Sequence, residues 1–177
     1  MRHYKTTLSL ITGLIMAASL STNAFAFGER WQHKNAQGGH TAEAVHAYQG
    51  ENGSEFAKGH RIKSDGAGNV TRSSGAAGTT ANGGQYKRTS QSTRSADGSA
   101  THQGSISASG SKGSVSSSGS TTKNADGSVN QSRTTEITNA QTGVTRDSST
   151  SYTSGQGVTH SSTCTDASGA SVPCPTH

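Results

Sequence analysis

After Leu20 the sequence contains no leucine, and after Met16 no methionine. Proline is absent until Pro173 and Pro175, and tryptophan occurs once, at Trp31. The large apolar residues that remain are thinly spread: Phe27, Trp31, Val45, Tyr48, Phe56, Ile62, Val70, Tyr86, Ile106, Val115, Val129, Ile137, Val144, Tyr152, Val158 and Val172. Burying one such side chain contributes about 2 kcal/mol, whereas ordering the backbone costs about 1–2 kcal/mol for every residue. This scarcity excludes a conventional globular core. Two outcomes remain. The chain is largely disordered before assembly, as low hydrophobicity favours, or ladders of Ser, Thr, Ala and Gly replace a Leu-rich interior. The lack of proline, the low net charge and the recurrence of Thr and Val favour the ladders.

Long apolar runs are also missing, except for Leu8 to Leu20, which is too short to span a bilayer comfortably. Arg2 and Lys5 precede it and Ala24-Phe25-Ala26 follows, the pattern of an export signal with a small-x-small cleavage site. Residues 1–26 are therefore expected to be a Sec-type secretory signal peptide. Residues 27–177 would form one β-repeat domain, with no membrane-spanning segment after signal removal. The destination is then secreted, extracellular or periplasmic. The chain has 15 Lys and Arg against 10 Asp and Glu, and losing Arg2 and Lys5 leaves 13 against 10. That mild excess suits anionic surfaces without demanding them.

What is present is a period. Glycine-centred turns recur at Asn35–Gly39, Glu51–Gly53, Asp65–Gly68, Ala81–Gly84, Ala96–Gly98, Ser111–Gly113, Asn124–Gly127, Asn139–Gly143, Ser154–Gly157 and Asp166–Gly169. A marker residue follows each: Ala42, Phe56, Val70, Tyr86, Ala100, Val115, Val129, Val144, Val158 and Val172, spaced 14 to 16 apart. Such self-similarity means one repeat architecture. Between turns the residues alternate, Val129, Gln131, Arg133, Thr135 and Ile137 against Asn130, Ser132, Thr134 and Glu136, which is a strand pattern. Asn-Gly and Asp-Gly pairs suit tight turns because both residues tolerate positive φ.

The fold expected is all-β, with ten or eleven short strands arranged as an antiparallel meander or a β-solenoid. Phe27 to His33 reads as a degenerate first strand, and Thr41 to Tyr48 as a strand or a short helix capped by Thr41. A lipid-facing barrel is excluded because neither strand face carries a continuous apolar band. Cys164 and Cys174 flank the last turn and share residue 169 as midpoint, so they are expected to close a clasped hairpin over 164–174. Free thiols or an intermolecular link are the alternative.

No catalytic constellation emerges. There is no Gly-x-Ser-x-Gly elbow, Walker lysine or dinucleotide loop, and the acids Asp65, Asp97, Asp126 and Asp166 sit in turns, where capping explains them. Neither enzymatic activity nor a cofactor is expected. Binding has more to show. Two places beyond most markers stands a basic or amide residue: Lys58, Arg72, Arg88, His102, Gln131, Arg146 and His160. Ser117 and Ala44 break the rule. On strands these would form rows suited to a repeating polyanion such as an acidic polysaccharide, extracellular DNA or lipopolysaccharide. The bland reading is a solvated face whose charges discourage aggregation. His33, His40, His46 and His60 crowd the N-terminal third and are weak metal candidates, with no His-x-His spacing to support them. Thr79-Thr80, Thr121-Thr122 and Thr134-Thr135 suggest an ice-binding face but do not recur at one register.

Short polar strands with Gly, Asn and Gln turns behind an export signal resemble secreted bacterial amyloid proteins of the curlin kind, over Asn35 to Gly169. Curlin repeats are longer and carry fixed Ser, Gln and Asn positions that this chain does not reproduce, so no residue role transfers. The resemblance implies an extracellular structural protein that polymerises through open sheet edges. The function expected is thus a structural or adhesive protein of the bacterial surface or biofilm matrix, self-associating and fibre-forming. The alternative is a monomeric module binding polyanions, metal or ice.

Overall fold

The computed structural model describes residues 25–175. The expected signal therefore lies outside the described residues, apart from Phe25 and Ala26, which open the first strand. The strands are β1 (Phe25–Lys34), β2 (His40–Gln49), β3 (Glu55–Ser64), β4 (Val70–Thr79), β5 (Gln85–Arg94), β6 (Ala100–Gly110), β7 (Gly113–Lys123), β8 (Val129–Asn139), β9 (Thr145–Thr153) and β10 (Gly157–Thr165). Each pairs antiparallel with the next, giving one open ten-stranded sheet in sequence order. This is the meander rather than the solenoid. Thr41 to Tyr48 lies in β2, so the short helix is not formed.

The regular period has a local cause. Five residues connect Lys34 to His40, Gln49 to Glu55, Ser64 to Val70, Thr79 to Gln85, Arg94 to Ala100 and Lys123 to Val129. The Ser95–Ser99 connection shows the chemistry. Gly98 N–H donates to Ser95 O at 3.1 Å and Ser95 N–H to Ser99 O at 2.9 Å, a tight turn closed by a left-handed glycine with φ 86°. Asp97 accepts the Ser99 N–H at 2.9 Å and the Ser99 hydroxyl at 2.7 Å. Asp126 with Ser128, Asp166 with Ser168 and Asn52 with Ser54 repeat this pair of bonds. Among the described residues only glycines have positive φ. The acidic and amide residues of the turns therefore act as hydrogen-bond acceptors, not as left-handed residues as their pairing with glycine suggests.

The sheet is one layer thick, with almost no interior. The buried residues among those described are Ala44, Ala57, Cys164, Thr41 and Gln49, with the glycines Gly39, Gly50 and Gly59. Order comes instead from the ladder and from directly opposed hydroxyls that bond across it. Thr89 meets Ser105 at 2.7 Å, Ser118 meets Thr134 at 3.2 Å, Ser120 meets Ser132 at 3.1 Å and Ser151 meets Thr159 at 2.6 Å. Such cross-strand pairs each contribute roughly 0.2–1 kcal/mol relative to Ala–Ala.

At the C-terminal end the chain turns at Asp166 to Ala170 and comes back along β10. Ser171 bridges to Thr165, and Val172 N–H donates to Cys164 O at 2.9 Å. The disulfide joins Cys164 to Cys174, with Cα atoms 5.2 Å apart. The hairpin is therefore centred on residue 168, between Thr165 and Ser171. Cys164 faces Val172, and Cys174 reaches it from two residues further on.

Candidate functional site

Directly opposed residues of an antiparallel pair project to the same side, and successive residues alternate. The registers therefore sort every strand residue onto one of two faces. Two links between paired residues have an even count, Ser111–Lys112 between Gly110 and Gly113 and 139–144 between Thr138 and Thr145, so the face changes from even to odd numbers at β7 and back at β9.

One face collects Arg30, Lys34, Lys58, Arg72, Arg88, Arg94, Lys123, Arg133 and Arg146, together with His40, His46, His60, His102 and His160. No strand carboxylate stands on it. The strand carboxylates Glu29, Glu43, Glu55, Glu136 and Asp147 are all on the opposite face, with Arg61, Lys63 and Lys87. There Arg61 is paired to Glu43 at 2.8 Å. Of the cations on the basic face only Arg146 is partly covered; the rest are exposed.

All six residues expected to bind a polyanion, Lys58, Arg72, Arg88, His102, Arg146 and His160, lie on this basic face. They do not form a single row. Because alternate strands run in opposite directions, Lys58 and Arg88 stand in one row with Ala76 between them. Arg72 and His102 stand in another with Ser92 between. Like charges are thus about 10 Å apart across two strand spacings, which limits their repulsion. Neighbouring hydroxyls hold several in place. Ser92 Oγ lies 2.7 Å from His102 Nδ1, Thr150 Oγ1 lies 2.9 Å from His160 Nδ1, and Arg146 Nε donates to Ser162 Oγ at 2.9 Å.

Between β3, β4 and β5 the face sinks into a hollow of about 350 Å³ lined by His60, Ile62, Arg72, Ser74, Ser90 and Ser92. A cation, an imidazole and three hydroxyls there suit the charged group of an anionic polymer. Along one margin of the same face runs a row with Tyr48, Phe56, Tyr86, Val115 and Ile137, interrupted by Gly78 and Ala108. Tyr48 is 51 % exposed and Ile137 47 %, so cations and apolar surface lie side by side in solvent.

The metal candidates do not converge as a set, although His46 and His60 are diagonal neighbours on β2 and β3. His33 stands opposite Thr41 on the face away from His40, His46 and His60. His46 faces Gly28 and Lys58, while His40 sits at the other end of β2. No group of three or more His, Cys, Asp or Glu converges among the described residues.

The second face is a hydroxyl array from β4 onward. Its rows include Thr89, Ser105, Ser118, Thr134, Ser149 and Ser161. Another runs through Thr71, Thr93, Thr101 and Thr122. Only Thr122 of this row belongs to an adjacent pair, because hairpin register assembles the row from one threonine on each of four strands. Sequence reasoning also passed over Arg30, Lys34, Arg94, Lys123 and Arg133, which lie at other offsets from the markers. Their signal was available in strict alternation: Arg30 and Lys34 fall opposite Glu29 on β1, and Arg133 opposite Glu136 on β8.

No family model matches this chain, and neither a curated protein nor a solved structure shows similarity to it. Among the described residues no helix is long and apolar enough to cross a membrane.

Proposed function

We propose that the protein is an exported structural and adhesive protein of the bacterial surface or matrix, without catalytic activity, whose basic face holds an extended polyanion. One observation carries this reading: every strand carboxylate stands on one face, while the other holds most of the strand cations and imidazoles and no carboxylate. A solvated face needed only to keep the protein soluble gains nothing from excluding carboxylates, whereas a surface that lies against a line of anionic groups gains from each exclusion. Rows of cations across a flat sheet suit a polymer chain better than a compact ligand. The ligand chemistry is a linear chain of sulfate, carboxylate or phosphate groups, as in an acidic polysaccharide or DNA.

The test is retention of the processed protein on heparin and on DNA at increasing salt. Changing Arg72, Arg88 and Arg146 to Ser is expected to weaken binding and, on duplex DNA, to lower the magnitude of the slope of log affinity against log salt by about 3. Changing Lys63 and Lys87 to Ser, on the other face, is expected to leave binding as it was. Equal losses from both sets, or none from the first, would remove the reading. Comparison of the two columns distinguishes a glycan from a nucleic acid.

A further inference from the structure

The two margins of the sheet are not alike. Along β10 the returning tail covers part of the outer side, bonded from Val172 to Cys164 O and tied by the disulfide. Pro173 and Pro175 flank the linked Cys174 and have no N–H to offer an incoming strand. β1 has no such cover among the described residues, and pairs only with β2. Asn35 N–H donates to Gly39 O at the first turn. Alternation from that bond turns the odd-numbered amides of β1 toward β2 and those of Gly28, Arg30, Gln32 and Lys34 outward. At this margin Trp31 is 45 % exposed and Phe27 42 %, both on the hydroxyl face.

We propose that β1 of the chain processed after Ala26 docks antiparallel on β1 of a second copy, about a two-fold axis through Trp31. Two margins related in this way keep each face continuous, so every allowed register is centred on one residue. A register centred on Glu29 opposes Glu29 to itself, and one centred on Arg30 does the same to Arg30. Centring on Gln32 sets Arg30 against Lys34. Registers further out leave most of the processed strand unpaired. Trp31 is the centre that opposes no like charges: Glu29 meets His33 of the second copy, Arg30 meets Gln32 and Gly28 meets Lys34. Because the Trp31 amide turns to β2, the two indoles meet at a site without inter-copy hydrogen bonds, where opposed side chains come closest. The outward amides of Gly28, Arg30, Gln32 and Lys34 form the ladder between copies. The assembly then has only two clasped β10 margins exposed, so it closes as a dimer instead of growing into a fibre. Both basic faces point the same way and form one surface.

Sedimentation of the processed protein over a dilution series is expected to show a reversible dimer. Gln32→Pro removes an outward N–H and leaves the β1–β2 pairing intact. It is expected to raise the dimer dissociation constant at least about tenfold without changing the circular dichroism of the monomer. With both native cysteines in the disulfide, Trp31→Cys is expected to give a linked dimer on air oxidation. His33→Cys, whose counterpart lies four residues along the strand, should not. A monomer at every concentration would overturn the proposal. So would a dimer indifferent to Gln32→Pro and linked equally through residue 33, or filaments longer than a dimer.

Discussion

At the scale of single residues, the turns carry the clearest consequences. Asp97, Asp126 and Asp166 are held below the ordinary carboxylate value, chiefly by the hydroxyls of Ser99, Ser128 and Ser168, then by backbone N–H donors. Asp65 is lowered mainly by the Asn69 side chain. A carboxyl lowered on folding supports the folded state when ionised. Its contribution is complete above the unfolded value and fades as pH falls through the lower folded one. Thermal stability is therefore expected to drop as pH is taken below the ordinary carboxylate range. Replacing these four aspartates with Asn should flatten that part of a melting-temperature profile. Glycine makes a separate prediction. At Gly98, φ is 86° and an added Cβ meets nothing within 4 Å, so Gly98→Ala tests backbone strain alone. Urea denaturation should show a loss of about 1 kcal/mol. Gly113→Ala should cost more, because its Cβ would lie 2.0 Å from Thr138 O.

At the scale of elements, the disulfide-tied tail is the piece most open to test. Reducing Cys164–Cys174, or changing Cys174 to Ser, is expected to lower stability by about 2–3 kcal/mol. It should also release the Val172 amide to fast hydrogen exchange, while amides shared by β5 and β6 stay protected. Much of this organisation was legible in the sequence. Alternation gave the strand units, the turn glycines gave their ends, and the markers from Phe56 to Val158 that lie in strands share one face. The cysteine pairing was legible too, though not its register, since the one-residue shift of the hairpin centre depends on how Asp166 caps its turn. What alternation cannot reveal is connection length. A change from five residues to two between β6 and β7 leaves the local pattern untouched, yet reverses which number parity faces which way.

At the scale of the whole molecule, the face as a collective was the part least readable from single repeats. Lys58 and Arg88 resemble members of one line with Arg72 until the antiparallel order places Arg72 in another row. His33 joins a histidine cluster in sequence and is separated from it by the thickness of the sheet. The separation of carboxylates from the basic face, on which the proposed adhesion rests, exists only when ten strands are aligned. Screening should therefore act on all of it together, and binding to DNA or heparin is expected to fall steeply between about 50 and 200 mM salt.

A layer without an interior has a thermal signature of its own. Exposure of apolar surface is what gives unfolding its positive heat capacity, ordinarily about 12–15 cal/mol/K per residue. Here only Ala44, Ala57 and Cys164 among the described apolar residues are buried, so little new apolar surface meets water when the ladder melts. Calorimetry should return a heat capacity change well under the ordinary range and a broad, shallow curve of free energy against temperature. Such a protein holds nearly the same strength in cold water as in warm.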